Sequence, residues 1–135
     1  MRINLKALLI VAVLGGATLL ASCSSTAEAV VETVSPSDAE EVLVENGDAV
    51  LLDIRTPDEY AAARISGSEN IDFYEADFAA QLAQLDPDGT YVVYCRSGNR
   101  SGQAMEIFRD LGFAEVYEID GGIVNWSDSG YPVDS

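Results

Sequence analysis

Two short runs of unbroken apolar residues, Ala49-Val50-Leu51-Leu52 and Tyr91-Val92-Val93-Tyr94, constrain this chain most. A strand that is apolar at every position is covered on both faces, the pattern of a parallel sheet lying between helices. Helix starts fall where such a fold needs them. Ser35-Pro36 and Thr56-Pro57 each set a capping hydroxyl before a proline at the first helical position, and Glu59 completes a capping box with Thr56.

The other elements follow from periodicity and turn chemistry. Thr33-Val34 predicts a short first strand. Ala39, Val42 and Leu43 predict a helix that Asn46-Gly47-Asp48 ends. The second strand closes at Asp53-Ile54-Arg55, and the Thr56 helix runs to about Ala63. Asn70-Ile71-Asp72 predicts a third strand. Phe78, Leu82 and Leu85 predict a third helix from roughly Ala76 to Leu85, stopped by the Asp86-Pro87-Asp88-Gly89 turn. Tyr91 to Tyr94 is the fourth strand. Ala104, Ile107, Phe108 and Leu111 mark the apolar face of the next helix, with Gly112 as its C-cap. Glu115 to Ile119 predicts a fifth strand. Gly121-Gly122 opens a last short helix through Trp126, and Gly130-Tyr131-Pro132 closes the domain. This order predicts one α/β domain over residues 33–135, with a roughly five-stranded parallel sheet and helices on both faces.

The first 32 residues read as delivery rather than fold. Met1 to Lys6 is basic, and Ala7 to Leu20 is an apolar stretch of 14 residues. That is short of the roughly 20 residues a bilayer-spanning helix needs, and it fits an export signal over residues 1–22. Leu20-Ala21-Ser22-Cys23 resembles the lipobox of bacterial lipoproteins. The resemblance implies cleavage before Cys23, lipid on its sulfur and amine, and an extracytoplasmic protein anchored to a bacterial membrane. An ordinary signal peptide and an uncleaved anchor are the alternatives. Residues 23–32 would then be the lipidated cysteine and a tether whose nine flexible residues span ~17 Å r.m.s..

Charge removes several classes of function. There are 23 acidic residues, seven basic ones and no histidine, for a net charge of −16. Arg2 and Lys6 precede every acid, so the rest of the chain carries five arginines and a net −18. Such a polyanion is not built to bind nucleic acid or anionic lipid headgroups. The charge serves solubility, or it presents an acidic surface to a basic protein partner. Without histidine, and with only Cys23 and Cys95, the usual zinc sites cannot be built, nor can a Ser-His-Asp or Cys-His mechanism. Each cysteine is better explained by its own chemistry than by a disulfide. No metal or cofactor is expected, and the domain is expected to be a monomer.

The chemistry concentrates in Cys95-Arg96-Ser97-Gly98-Asn99-Arg100-Ser101. Here a strand ends and a helix begins, the place where open α/β sheets bind ligands. Successive N–H groups in such a turn form an anion nest, and Gly98 permits the backbone angles it needs. Arg96 and Arg100 add positive charge, and Asn99 or Ser101 is placed to cap the helix. A free cysteine near pKa 8.5 is only ~3% thiolate at pH 7, and lowering it by two units gives roughly 75%. The nest, the helix dipole and the arginines must supply that shift. An inert buried cysteine is the plain alternative.

Several motifs agree in order with one family. Leu51-Leu52-Asp53-Ile54-Arg55-Thr56-Pro57-Asp58-Glu59-Tyr60, Ile65 to Ile71, Tyr94 to Ser101, Leu111-Gly112-Phe113, Gly121-Gly122 with Trp126, and Gly130-Tyr131-Pro132 together resemble a single-domain rhodanese. The cysteine loop with Gly102-Gln103-Ala104 is most similar to the small periplasmic phage-shock-type rhodaneses. Two departures stand out: Ala63-Arg64 where the family usually has Gly-His, and Ser66-Gly67 where it often has Pro-Gly. Arg64 reads as a structural or rim residue.

The resemblance implies a three-layer rhodanese-like fold and a sulfurtransferase. Cys95 would take the outer sulfur of a donor such as thiosulfate as a persulfide, and a thiol or cyanide would accept it. Arg96, Ser97, Gly98, Asn99, Arg100 and Ser101 would bind the substrate, with Asp53 and Arg55 supporting the loop. One rival on the same scaffold is a Cys-based phosphatase or arsenate reductase. Those enzymes place five residues between cysteine and arginine, whereas only four separate Cys95 from Arg100. The shorter ring leaves less room for a tetrahedral oxyanion. The other rival is a non-catalytic or sulfur-carrier binding module.

Overall fold

The computed structural model describes residues 27–135, so the expected export signal and Cys23 lie outside the described residues. Strand and helix alternate through β1 (Val30–Val34), α1 (Pro36–Glu45), β2 (Val50–Asp53), α2 (Pro57–Ala62), β3 (Glu69–Asn70), α3 (Phe78–Leu82), β4 (Thr90–Tyr94), α4 (Asn99–Asp110), β5 (Glu115–Ile119) and α5 (Gly122–Asp128). The strands form one sheet in the order β1-β5-β4-β2-β3. Each neighbouring pair is parallel. The two apolar runs are the adjacent central strands β2 and β4, and every residue of β4 is buried.

The pleat of β4 sorts its side chains between two cores. Tyr91, Val93 and Cys95 face one layer, where they meet Phe78 and Leu82 of α3 and Ala104, Met105 and Phe108 of α4. Val92 and Tyr94 face the other, with Ala39 of α1 and Ile123 and Trp126 of α5. Each large apolar side chain buried in these layers stabilises the fold by about 1.5–3 kcal/mol. Strand direction thus delivers Cys95 to the carboxyl edge of the sheet, on the α4 side.

Local signals set most element ends. Ser35 caps α1 by accepting from the Asp38 N–H at 3.2 Å, and both halves of the Thr56–Glu59 capping box are present at α2. Gly112 follows the end of α4 with φ +78°.

α5 runs two residues past the expected Trp126, to Asp128, and three elements differ more from their expected bounds. β1 begins at Val30, three residues inside the expected tether. Its register on β5, Val30 opposite Glu115 through Val34 opposite Ile119, gives the β-branched Val30 and Val31 a ladder to join. β3 is Glu69–Asn70 rather than Asn70 to Asp72. The Asn70 side chain donates to the carbonyls of Asp53 and Arg55, and beyond it Asp72 turns the chain by accepting from the Tyr74 N–H. α3 spans only Phe78–Leu82. On either side the chain runs in tighter three-residue turns, such as Phe78 N–H to Glu75 and Leu85 N–H to Leu82, so its apolar spacing persists without a full α-helix.

Candidate functional site

β4 ends at Tyr94, and Cys95 is the first residue of the turn into α4, with 1% exposure. Gly98 makes that turn possible with φ +97° and ψ −8°, a left-handed conformation. It stands at the cap position of α4, where neither Asn99 nor Ser101 caps. Asn99 is the first helical residue and holds Gln103, while Ser101 lies within the helix and turns toward the sulfur. The Gly98 N–H donates to Cys95 Sγ at 3.1 Å, and Ser101 Oγ lies 3.3 Å from it. Burial alone would raise the thiol's pKa. The N–H groups of Ser101, Gly98 and Ser97, together with the Ser101 hydroxyl when its proton turns to the sulfur, outweigh it and hold the thiol below its ordinary value.

The loop is clamped from behind by α5. Its Ile123 N–H donates to the Cys95 carbonyl at 2.9 Å and its Val124 N–H to the Arg96 carbonyl at 3.2 Å. The approach is possible because residue 122 lacks a side chain. A Cβ on Gly122 would stand 2.4 Å from the Cys95 carbonyl oxygen and 2.6 Å from that of Arg96.

The two loop arginines do different things. Arg100 is held by Glu59 of α2 through paired 2.8 Å bonds, and its guanidinium lies 5.4 Å from the exposed ring of Tyr74. Arg100 in turn lowers the Glu59 carboxyl to about 2, helped by Thr56 and opposed by burial. Arg96 is exposed, and among the described residues it is the arginine whose side chain makes no hydrogen bond or ion pair. It lines a groove of about 430 Å³ beside the loop, together with Glu59, Ala63, Ile123, Val124 and Val133.

Asp53 and Arg55 stand at the end of β2, buried at 0% and 5% exposure. The Arg55 guanidinium pairs with the Asp53 carboxylate and also donates to the Ala63 carbonyl, so the pair ties the end of β2 to the end of α2. Its link to the cysteine loop is indirect, through the Ile54 N–H bonded to the Tyr94 carbonyl. Arg64 lies over the Tyr60 ring at 5.0 Å and pairs with Asp134 through two backbone bonds of 2.8 Å, a structural setting.

Glu118 is the residue the sequence reading passed over. It is 4% exposed, and Ser101 Oγ donates to its Oε1 at 2.6 Å. Period two places it on the face of β5 that carries buried Val116. A charged residue at a core-facing strand position was the available signal.

Comparison with known proteins agrees with this fold. The family model for the rhodanese-like domain matches residues 35–129. The thiosulfate sulfurtransferase GlpE of Pseudomonas aeruginosa strain LESB58 is 42% identical over 105 residues, covering 77% of this chain and 90% of that protein. The crystal structure of a rhodanese-related protein from Thermoplasma volcanium superposes with a TM-score of 0.67 at 31% identity, covering 76% of this chain and 97% of that one. A Rhodopseudomonas palustris protein of unknown function, described as a possible tyrosine phosphatase, gives a TM-score of 0.62 at 30% identity, covering 76% and 84%.

Proposed function

Since the chain belongs to the rhodanese family, we propose that it is a thiosulfate sulfurtransferase whose sulfur passes through a persulfide on Cys95. The thiolate attacks the outer sulfur of thiosulfate. The new S–S bond forms as the old one breaks, and sulfite leaves with the bonding pair. A cyanide or thiolate acceptor then takes the outer sulfur and returns Cys95 as thiolate. The observation that carries this is a free cysteine at a strand end with the Gly98 N–H on its sulfur. Inward N–H groups stabilise both the thiolate and the persulfide anion. Arg96 is the cation positioned to receive an anionic donor, while Arg100 orders the loop through Glu59.

A phosphatase is disfavoured by the ring of four residues between Cys95 and Arg100 and by the engagement of Arg100 with a carboxylate. With no second cysteine in the described domain to resolve the persulfide, the acceptor is an external nucleophile. We place the domain outside the cytoplasm on a lipid carried by Cys23. The Leu-Ala-Ser-Cys sequence after a short apolar segment supports that placement.

Incubation with thiosulfate should add one sulfur, ~32 Da, to the Cys95 peptide and release sulfite in equal amount, and cyanide should remove it. Cys95→Ser should show neither. Phosphate ester hydrolysis without sulfur uptake would defeat the assignment. Cys23→Ala should move the protein from the membrane pellet to the soluble fraction, and continued sedimentation with membranes would defeat the anchor.

A further inference from the structure

Among the described residues two acidic side chains are buried, Asp53 and Glu118. Asp53 has Arg55. Glu118 has no cation. Its partners are two hydroxyls, Ser101 Oγ on Oε1 at 2.6 Å and Thr33 Oγ1 on Oε2 at 2.5 Å. A buried carboxylate usually has a cation or several N–H donors to offset its lost hydration. The sulfur-transfer chemistry does not call for Glu118, yet one hydroxyl separates it from the reacting sulfur.

That hydroxyl decides what Cys95 can be. Ser101 Oγ has one proton to donate and lone pairs to accept with. While Ser101 donates to Glu118, it can only accept from the sulfur, 3.3 Å away, and Cys95 is then a thiol. With the proton on Glu118, the carboxyl O–H donates to Ser101, Ser101 donates to the sulfur, and Cys95 is a thiolate. Both arrangements satisfy every group in the chain Cys95–Ser101–Glu118. They interconvert by proton movement alone. The S–H bond breaks as Ser101 takes that proton, and Ser101 passes its own proton to Glu118. Nothing is oxidised and nothing leaves.

We propose that Glu118 is a positioning residue that sets the protonation state of Cys95 through Ser101, holding it as a thiol when ionised and releasing the Ser101 proton to a thiolate when protonated. The proposal rests on Cys95 being the reacting thiol. The other charged groups near the sulfur are Arg96 in the loop, Arg100 of α4 and, through Arg100, Glu59 of α2. Around Glu118, β1 contributes Thr33 and β4 contributes Val93, neither of which is ionised.

The test is the rate at which iodoacetamide alkylates Cys95 as a function of pH, in the full-length protein. Glu118→Gln mimics the protonated carboxyl, since its amide N–H donates to Ser101. It should move the alkylation midpoint down by about one pH unit, a roughly tenfold faster reaction below the midpoint. In a Ser101→Ala background the same substitution should have no effect. An unchanged midpoint in Glu118→Gln overturns the proposal. So does an equal shift with and without Ser101, which would make Glu118 a through-space charge. A pH step followed by infrared difference spectroscopy on the wild type provides a second reading, independent of any variant folding. Loss of the S–H band should come with a change in a protonated-carboxyl C=O band, and S–H loss without it overturns the relay. Alkylation depends on no sulfur donor. A Glu118-dependent midpoint with no persulfide would therefore defeat the proposed function and leave the relay standing.

Discussion

Gly122 shows how tightly single residues set this site. At φ +60° it already occupies a backbone region that costs other residues about 1–3 kcal/mol. A Cβ there would also collide with two carbonyls of the cysteine loop. Gly122→Ala should lower the unfolding free energy by at least that strain and abolish most sulfur transfer where the protein is still folded, because the loop must retreat from α5. Gly47→Ala is the control. Nothing lies within 4 Å of its Cβ position, and its stability should stay within ~0.5 kcal/mol of wild type. Arg96→Ala tests the opposite kind of residue. Its side chain is exposed and makes no ion pair, so stability should hold while thiosulfate KM rises several-fold at unchanged kcat. A fall in kcat with constant KM would instead place Arg96 at the transition state. At this scale Cys95 and Gly98 were legible, because a thiol at a strand end and a glycine in a sharp turn announce their chemistry locally. Arg100 was half legible. Its charge is in the sequence, but its partner Glu59 lies 41 residues away. Glu118 is not legible, since the alternation in Glu115–Ile119 marks a strand without showing which of its charged positions the neighbouring helix buries.

The Glu59–Arg100 pair ties the first turn of α2 to the start of α4. Glu59 caps the first turn of α2 by accepting from the Thr56 N–H, and it holds the arginine at the start of α4. Its carboxyl sits at about 2 in the fold, against an ordinary value of 4.5. Because the folded value is depressed, the stability it contributes is fully present above about pH 4.5 and is lost as pH falls toward about 2. Glu59→Gln keeps a side chain able to complete the cap and removes the charge. It should be less stable than wild type near neutral pH, with the gap closing as pH falls through that window. Urea midpoints measured across the window check this, and a gap that persists in acid would assign the effect to capping alone. The variant also frees Arg100, so thiosulfate KM should change alongside. Element existence was readable throughout, because caps and apolar spacing are local. Element ends were less so. β1 starts early because β5 is there to pair with, and α3 is short because its flanks settle into three-residue turns. Both outcomes depend on neighbours that a linear pattern does not contain.

Taken whole, the domain is a strongly negative body with one unpaired arginine, Arg96, at the cysteine loop. Beyond Lys6 the chain carries 23 acidic residues and five arginines. Arg55 and Arg100 are paired with carboxylates, and Arg109 and Arg64 donate to the carbonyls of Val31 and Tyr60. Arg96 alone of the five points its charge outward unshared. A dianion approaching this surface meets repulsion at long range and attraction only at the loop. Salt screens the first before the second, since the Debye length shrinks to about 8 Å at 0.15 M. Thiosulfate KM should therefore fall as ionic strength rises from low values, with kcat unchanged, and the unfolding midpoint should rise as self-repulsion is screened. In Arg96→Ala the fall should be steeper, because the opposing loss of local attraction is removed. Initial rates with a neutral salt such as potassium chloride read this directly. A wild-type KM that climbs with salt, and stops climbing in Arg96→Ala, would show that the loop arginine governs approach and that the acidic body does not reach the donor.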